Sequence, residues 1–579
     1  MVPKALDAAT MCEAFQITAA ERPGQVALRT IADGVSITFA EYAERVRRLS
    51  VGLHALGVRR GHTVGFMLTN RPEFHLIDTA AMHLGATPFS IYNTSSPEQI
   101  AYLLSDAGNR VFVVEAAFLD RARAGAELGG QVEHLVVLDG TADGAIAFSE
   151  LEVHEPPADF DFEAAWRAVR SDDLLTLIYT SGTTGPPKGV QLTHGNELAE
   201  CRGVDAIGRP EPGGSVVSFL PHAHIADRGL SHYANMAWGH TVTCCPDVTQ
   251  VFAHVADAHP TFFGGVPRIW EKLKAALEAG FDAPTQAAVA RGVERVRSGS
   301  GAPGDPADEA VYSVIRAKLG LERCDWYMIG AAPSPLEVLE FFAAIGIPIG
   351  EVWGMSETTS IATMVPRWDL RLGTVGPTIP GVEVRLADDG ELLVRGATVM
   401  AGYRNQPERT AETIDPEGWL HTGDVAEIDA DGFVKIVDRK KELIINAGGK
   451  NMSPANIEQQ LKQGSPLIGQ AVAIGDGRPY NVALIVLDPD ASAAFAGQHG
   501  LADPSPEAMS VEAVVLDEVS AGVERANSHM SRVEQIKRFK LLPCDWAPAG
   551  DELTPTMKLK RKPISEKYAG EIEALYSGG

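Results

Sequence analysis

The sequence predicts an α/β chain that gives way to an antiparallel region and then to a smaller α+β end. Three observations carry this. Helix and strand signals alternate through the first half. From about Val382 apolar residues alternate around Asp-Gly turns instead. Beyond a charged run at Asp438–Lys441, helix and strand patterns resume.

In chain order, Phe39, Tyr42, Val46, Leu49, Leu53 and Leu56 recur at helical spacing. Val64–Leu68 follows as a buried strand, and Glu73–Leu84 as a second helix. Asp173–Tyr179, DLLTLIY, is an apolar run suited to a central parallel strand. Ser298–Asp308, rich in Gly, Pro and Ser, reads as a surface loop. VEVRLADDGELLVRG places a hairpin turn at Asp389-Gly390, and Trp419–Asn446 repeats the pattern around Asp431-Gly432. A helix is expected over Pro454–Lys462, then two strands in AVAIGD and VALIVLD. From about Val511 the chain reads as helical and then basic. These patterns place a domain boundary between residues 437 and 438, and no internal repeat is present.

Composition narrows the function. The chain has 579 residues, which at very roughly 150 per unit allows about four units. Lys plus Arg number 50 and Asp plus Glu 76, a formal charge of −26. Phosphate neutralisation needs a basic surface, so nucleic acid is an improbable partner. Any cations serving an anionic substrate must be local. The six cysteines form no C-x-x-C pair and no zinc spacing, which fits reduced thiols in the cytoplasm. The N-terminus lacks a signal-peptide core, and apolar runs stay below the roughly 18 residues of a membrane span. That leaves loose membrane association open.

The segment with the most chemistry is Thr180–Val190, TSGTTGPPKGV, directly after the buried strand. A loop of Gly, Ser and Thr brings backbone N–H groups and hydroxyls close to a ligand. Lys188 adds a positive charge, so the loop suits a polyphosphate. It is not a Walker A loop, because Pro187 precedes the lysine and Gly189 follows it.

This string resembles the phosphate-loop signature of the adenylate-forming enzymes, which include acyl-CoA synthetases, luciferases and peptide-synthetase adenylation domains. Further segments resemble that family in its order, over essentially the whole chain. LPHAHIADR, Leu220–Arg228, is similar to the segment holding an active-site His. His224 is the match, and His222 stands where the family usually has a small apolar residue. GVPRIWEK (Gly265–Lys272) and YMIGAAPSP (Tyr327–Pro335) look like the long-chain fatty acyl members. VWGMSET, Val352–Thr358, resembles an aromatic-Gly-x-Thr-Glu signature, and GWLHTGD, Gly418–Asp424, ends in a matching acid. DRKKELIINAGGKNMSP and LTPTMKLKRK complete the series.

The resemblance implies a large N-terminal domain of two αβαβα lobes and a small β-barrel, with a small mobile C-terminal domain from residue 438. It implies that a carboxylate attacks the α-phosphorus of ATP and that the acyl group then passes to CoA. Thr180, Ser181, Gly182, Thr183, Thr184, Gly185 and Lys188 would take the phosphates. Gly330, Ala331 and Ala332 would make room for adenine and the acyl chain, with Glu351, Val352 and Ser356 beside them and Trp353 stacked on the base. Glu357, with the Thr180 hydroxyl, would hold Mg²⁺, a hard cation that takes oxygen ligands. Asp424 and Arg439 would meet the ribose or phosphate, and Lys441 would be the hinge. Lys558 would be the catalytic lysine, and Gly448-Gly449-Lys450 would face the thiol carrier.

The leading expectation is a fatty acyl-CoA synthetase that uses ATP, Mg²⁺ and CoA. The sequence also admits an acyl-AMP ligase loading a carrier protein. A third expectation, a non-catalytic nucleotide-binding protein on the same fold, is opposed by Glu357, Asp424, Arg439 and Lys558 occurring together. No G-x-S-x-G elbow suggests a serine hydrolase.

Overall fold

A computed structural model describes residues 2–158, 160–180, 186–299, 304–445, 451–547, 550–554 and 557–577, leaving aside the Asn451 side chain. It forms two compact units. The first comprises residues up to Arg385, Leu393–Thr422 and Ile428–Lys435. The second comprises Leu386–Leu392, Gly423–Glu427 and the chain from Ile436 onward.

The first unit is built on an eight-stranded sheet. Its order is Gly402–Tyr403, Lys188–Thr193, Leu174–Thr180, Thr87–Ser90, Thr63–Met67, Val111–Val114, His134–Val137 and Ile146–Ala147. From Leu174–Thr180 onward every neighbour is parallel, and the first two pairings are antiparallel. Every residue of Thr63–Met67 and Val111–Val114 is buried, as expected for strands covered on both faces. The run starting at Asp173 does form an interior strand.

The first expected helix spans Phe39–Ala55, with Leu56 as its C-terminal cap residue. It starts there because Thr38 and Glu41 form a capping box. Phe39, Tyr42, Val46, Leu49 and Leu53 are the buried face that periodicity indicated. The Tyr42 hydroxyl is satisfied by the Thr79 hydroxyl and by the carbonyl of His75 on the next helix, Pro72–His83.

Two further sheets belong to the unit. One runs Ser215–Ser218, Thr241–Cys244, Val26–Thr30 and Ser36–Thr38. The other runs Phe262–Gly265, Trp326–Ile329, Ile349–Trp353 and Thr363–Met364. In each, the first three strands are parallel and the last is antiparallel. The presumed loop at Ser298–Asp308 is shorter than expected, because a helix begins at Pro306 behind the cap residue Asp305.

The second unit has helices Pro454–Gly464 and Ala513–Ser528 over three strands. Ile468–Ile474 and Asn481–Leu487 are antiparallel, at the positions the sequence indicated. The third strand, Ile536–Leu541, is parallel to the second and was not anticipated. Only Ile536 and Leu541 of IKRFKL are buried, so its Lys537, Arg538 and Lys540 read as a basic run. The chain end is no loose tail: helices cover Arg561–Lys567 and Ala569–Ser577.

Candidate active site

The phosphate-loop segment closes an antiparallel hairpin, with Thr180 opposite Lys188 and Tyr179 opposite Gly189. Thr180 and Lys188 are therefore cross-strand partners at the ends of these two strands. Ser181, Gly182, Thr183, Thr184 and Gly185 lie outside the described residues. The Thr180 hydroxyl oxygen is buried and has no hydrogen-bond partner among the described residues. Such an orphan is rare unless something binds it.

Lys188 leads to a residue that sequence reasoning missed. Its Nζ donates to the Tyr403 hydroxyl at 3.1 Å and lies 4.3 Å from the ring centroid. The Tyr403 hydroxyl donates in turn to Glu357 Oε1 at 2.7 Å. A buried phenol thus joins the loop cation to the Glu357 carboxylate. Burial and the nearby carboxylate both push the Tyr403 hydroxyl well above its ordinary pKa, so it stays protonated. Tyr403 is placed by Gly402–Tyr403, which pairs with Gln191 and Val190 of the hairpin. A two-residue strand leaves no periodicity to read.

At the carboxyl ends of the third sheet lie Gly330, Ala331, Ala332 and Trp353, where open α/β sheets bind ligands. A Cβ at Gly330 would come within 2.8 Å of the Val352 side chain, so the close strand approach requires glycine. Ala331 has φ 69° and is exposed. Ser356 and Glu357 are buried in a short turn, Ser356–Thr358, whose exit is strained, with Thr359 at φ 68° and Ser360 at φ 118°. Each such residue costs on the order of 1–3 kcal/mol and persists only if its surroundings hold it. Here the Met400 N–H donates to the Glu357 carbonyl, and the Thr359 hydroxyl to the Thr398 carbonyl. Glu351 turns its buried carboxyl toward the Gly373 N–H at 2.8 Å, and burial pushes it up to about 7.

The histidine segment follows Ser215–Ser218, and its two imidazoles have separate surroundings. His222 is buried and stacked on Phe74, with ring centroids 3.5 Å apart. Its Nδ1 lies 3.1 Å from Asp227 Oδ2. His224 is half-buried, and its Nδ1 accepts the Ala226 N–H at 3.1 Å. That assigns the ring proton of neutral His224 to Nε2.

Asp227 is the anchor of this segment. It accepts from the hydroxyls of Ser218 and Ser231 and from the N–H groups of Phe219 and Leu220. Burial alone would raise its pKa, but His222 and these donors hold it below the usual carboxylate range. Arg228, fully buried, donates to Asp78 at 2.6 Å, to Ser90 and to the His222 carbonyl. It ties the segment to Pro72–His83 and Thr87–Ser90.

In the second unit, Asp424 is buried and paired with Arg439, with Nε 2.6 Å from Oδ1. Lys440 bridges Asp389 and Glu391. Asp438 accepts from the Ser453 hydroxyl and the Ala455 N–H, at the start of Pro454–Gly464. Lys441 is exposed in the turn that follows. Lys558 is also exposed, beside the Leu553–Leu559 bridge, and Thr554 and Lys558 bond to each other in both directions. Gly448, Gly449 and Lys450 lie outside the described residues.

The model of the AMP-binding enzyme family matches residues 15–404, and that of the AMP-binding enzyme C-terminal domain matches residues 441–579. The chain belongs to the AMP-binding enzyme family. One relative within reach is a Mycobacterium tuberculosis protein provisionally named fatty-acid–CoA ligase fadD11. It is 49% identical over 453 residues, covering 75% of this chain and 79% of that one. The long-chain-fatty-acid–CoA ligase FadD15 of the same organism is 38% identical over 578 residues, covering 96% and 95%. The adenylation domain of a carboxylate reductase from Mycobacterium chelonae shares the fold. Its TM-score is 0.76 at 21% identity, over 99% of this chain and 92% of that one. The expected architecture of a large N-terminal and a smaller C-terminal domain is thereby met.

Among the described residues no three His, Cys, Asp or Glu side chains cluster as a metal site. The described helices include none long and apolar enough to cross a membrane. All six cysteines are unpaired.

Proposed function

We propose that this AMP-binding enzyme is a fatty-acid–CoA ligase for medium to long chains. The observation that carries the reading is the Lys188–Tyr403–Glu357 chain beside the phosphate hairpin, in a protein whose relatives are named fatty-acid–CoA ligases.

Both reactants are anions, so the site must screen repulsion while holding them in line. A fatty carboxylate oxygen attacks the α-phosphorus, and the bond to the bridging oxygen breaks to release pyrophosphate. Lys188 takes the β- and γ-phosphates, with Tyr403 fixing its direction. Thr180 and Glu357 supply oxygen ligands that fit Mg²⁺, since one hydroxyl is orphaned and one carboxylate is buried. When bound, that ion neutralises phosphate charge. Trp353 stacks on adenine, Gly330 and its neighbours leave room for it, and Asp424 with Arg439 takes the ribose. His224 Nε2–H donates to the acyl carboxylate. Lys558 neutralises charge where carboxylate and α-phosphate meet. The CoA thiolate then attacks the acyl carbonyl and AMP leaves. Between these steps the C-terminal domain turns at Lys441.

A cytoplasmic location belongs to the same reading, supported by the unpaired thiols. So does peripheral membrane contact, because long-chain acids partition into bilayers.

The test is ATP–pyrophosphate exchange and thioester formation across acids from acetate to long chains, with and without CoA. Exchange driven by fatty acids, with CoA-dependent turnover, is expected. Lys558→Ala should abolish exchange while sparing ATP binding. Exchange persisting at the wild-type rate would remove Lys558 from its role. Inactivity toward every fatty acid would overturn the reading, and adenylate release without CoA turnover would favour a carrier-protein acceptor.

A further inference from the structure

Helix His194–Gly208 continues the chain directly from the phosphate hairpin. Glu197 and Glu200 sit three residues apart on it, and therefore on one face. Both are buried, at 1% and 4% exposure. They line a cavity of about 20 Å³ whose other walls are mostly apolar, including Leu230, Trp238, Phe262 and Trp326, with Cys201 and the His240 imidazole as the further polar groups. The Oε2 atom of each carboxyl has no hydrogen-bond partner among the described residues. What does reach the pair is weak: the Cys201 thiol lies 3.7 Å from Glu197 Oε1, and the Ile361 N–H approaches Glu200.

Two unmatched carboxyls in a mostly apolar wall are costly, since each buried polar group left alone has lost its hydration without gaining a bond in return. Burial pushes Glu197 up to about 8, and burial together with the neighbouring Glu197 pushes Glu200 well above the usual carboxylate range. At neutral pH both are carboxylic acids, each able to donate and to accept. The cavity has room for one water-sized polar group.

Its position relates it to the reaction. Ile361 lies four residues beyond Glu357, and Gly229 and Leu230 follow the histidine segment. Phe262 and Trp326 are the first residues of two strands whose far ends lead to the site, Trp326–Ile329 to Gly330. Four residues of extended backbone span roughly 13 Å. They contain about twelve bonds, so an acyl chain of roughly ten to twelve carbons covers the same distance.

We infer that Glu197 and Glu200 form a polar floor to the acyl pocket, and that they select fatty acids bearing a hydroxyl near the tenth to twelfth carbon over unsubstituted ones. The inference rests on the fatty-acid ligase reading. The hydroxyl donates to one carboxyl and accepts from the other, so both orphaned oxygens are matched when such a chain is bound. An alkyl terminus would leave them unmatched. A site built to bond a hydroxyl discriminates strongly against the analogue that lacks it.

The test compares kcat/KM for 12-hydroxydodecanoate and dodecanoate. Wild type should prefer the hydroxy acid by about tenfold or more. In Glu197→Leu/Glu200→Leu, which replaces the pair by apolar groups of similar size, the ratio should fall to about one or invert. Glu197→Gln/Glu200→Gln should keep a preference, because amides still donate and accept. Thermal unfolding of each variant checks that it folds, and the glutamine pair serves if the leucine pair does not. A wild-type ratio near one would overturn the inference and leave the cavity as the seat of a structural water. So would a ratio unchanged in the leucine pair. Inactivity toward both acids, and toward fatty acids of every length, would instead sink the ligase reading itself.

Discussion

Lys188, Tyr403 and Glu357 show how one unpredicted side chain can organise two predicted ones. The lysine and the carboxylate stood out because their segments are distinctive strings. Tyr403 did not, because its meaning depends on an edge strand crossing the hairpin. Tyr403→Phe removes the donor to Glu357 and the acceptor for Lys188 but keeps the ring. ATP–pyrophosphate exchange should fall about tenfold or more, the scale of one lost charge-assisted contact, with the thermal midpoint nearly unchanged. Exchange at the wild-type rate would make Tyr403 a packing residue only. Glu351 offers a second test. Its folded-state pKa of about 7 lies above the ordinary 4.5. The stability linked to its proton is thus present below about pH 4.5 and lost as pH rises through 7. Glu351→Gln should match wild type in urea unfolding at pH 4. At pH 8 it should exceed wild type by on the order of 2–3 kcal/mol.

The elements divide into those that periodicity reveals and those that it hides. Phe39–Ala55 and Leu174–Thr180 were legible because burial on one face, or on both, imprints a pattern. Ile536–Leu541 was hidden, since only its ends are buried and its middle is basic. The histidine segment was legible as a motif but not as a structure. Its two imidazoles look alike in sequence, yet one packs on Phe74 and the other caps a turn. What holds the segment is Arg228, fully buried against Asp78. Arg228→Met should cost about 3–5 kcal/mol in chemical unfolding, since it leaves Asp78 buried without its main partner. Adding Asp78→Leu should recover part of that loss. A loss equal to the sum of the two single changes would mean that the pair is not coupled. Asp438 plays a comparable part in the second unit. It marked a boundary in the sequence, and in the structure it holds the start of Pro454–Gly464. Asp438→Ala should cost roughly 1–2 kcal/mol, the scale of a lost cap.

On the scale of the molecule, the charge balance has become specific. On the proposed reading, an acidic chain of net −26 would keep the cations for its anionic substrates in separate segments, at Lys188, Arg439 and Lys558. The family and its two-domain order were legible because the motifs recur in sequence. The substrate's fine structure was not, because the pocket is assembled from segments far apart in the chain. Lys441→Pro fixes one backbone angle at the proposed hinge. It should slow thioester formation severalfold while leaving pyrophosphate exchange intact, and equal losses in both would place the turning point elsewhere.

The second unit is woven from three pieces of chain, which the backbone enters and leaves at Leu386, Leu392, Gly423, Glu427 and Ile436. During synthesis the first two pieces emerge before the third is complete, so the unit's parts wait for their partners. Its Asp424 gains Arg439, and its Glu391 gains Lys440, only from the start of the third piece. A clean exchange of C-terminal domains between relatives therefore cannot be made with one cut. A graft that carries Leu386–Leu392 and Gly423–Glu427 along with the final segment should assemble where a single-junction graft leaves those carboxylates beside foreign neighbours.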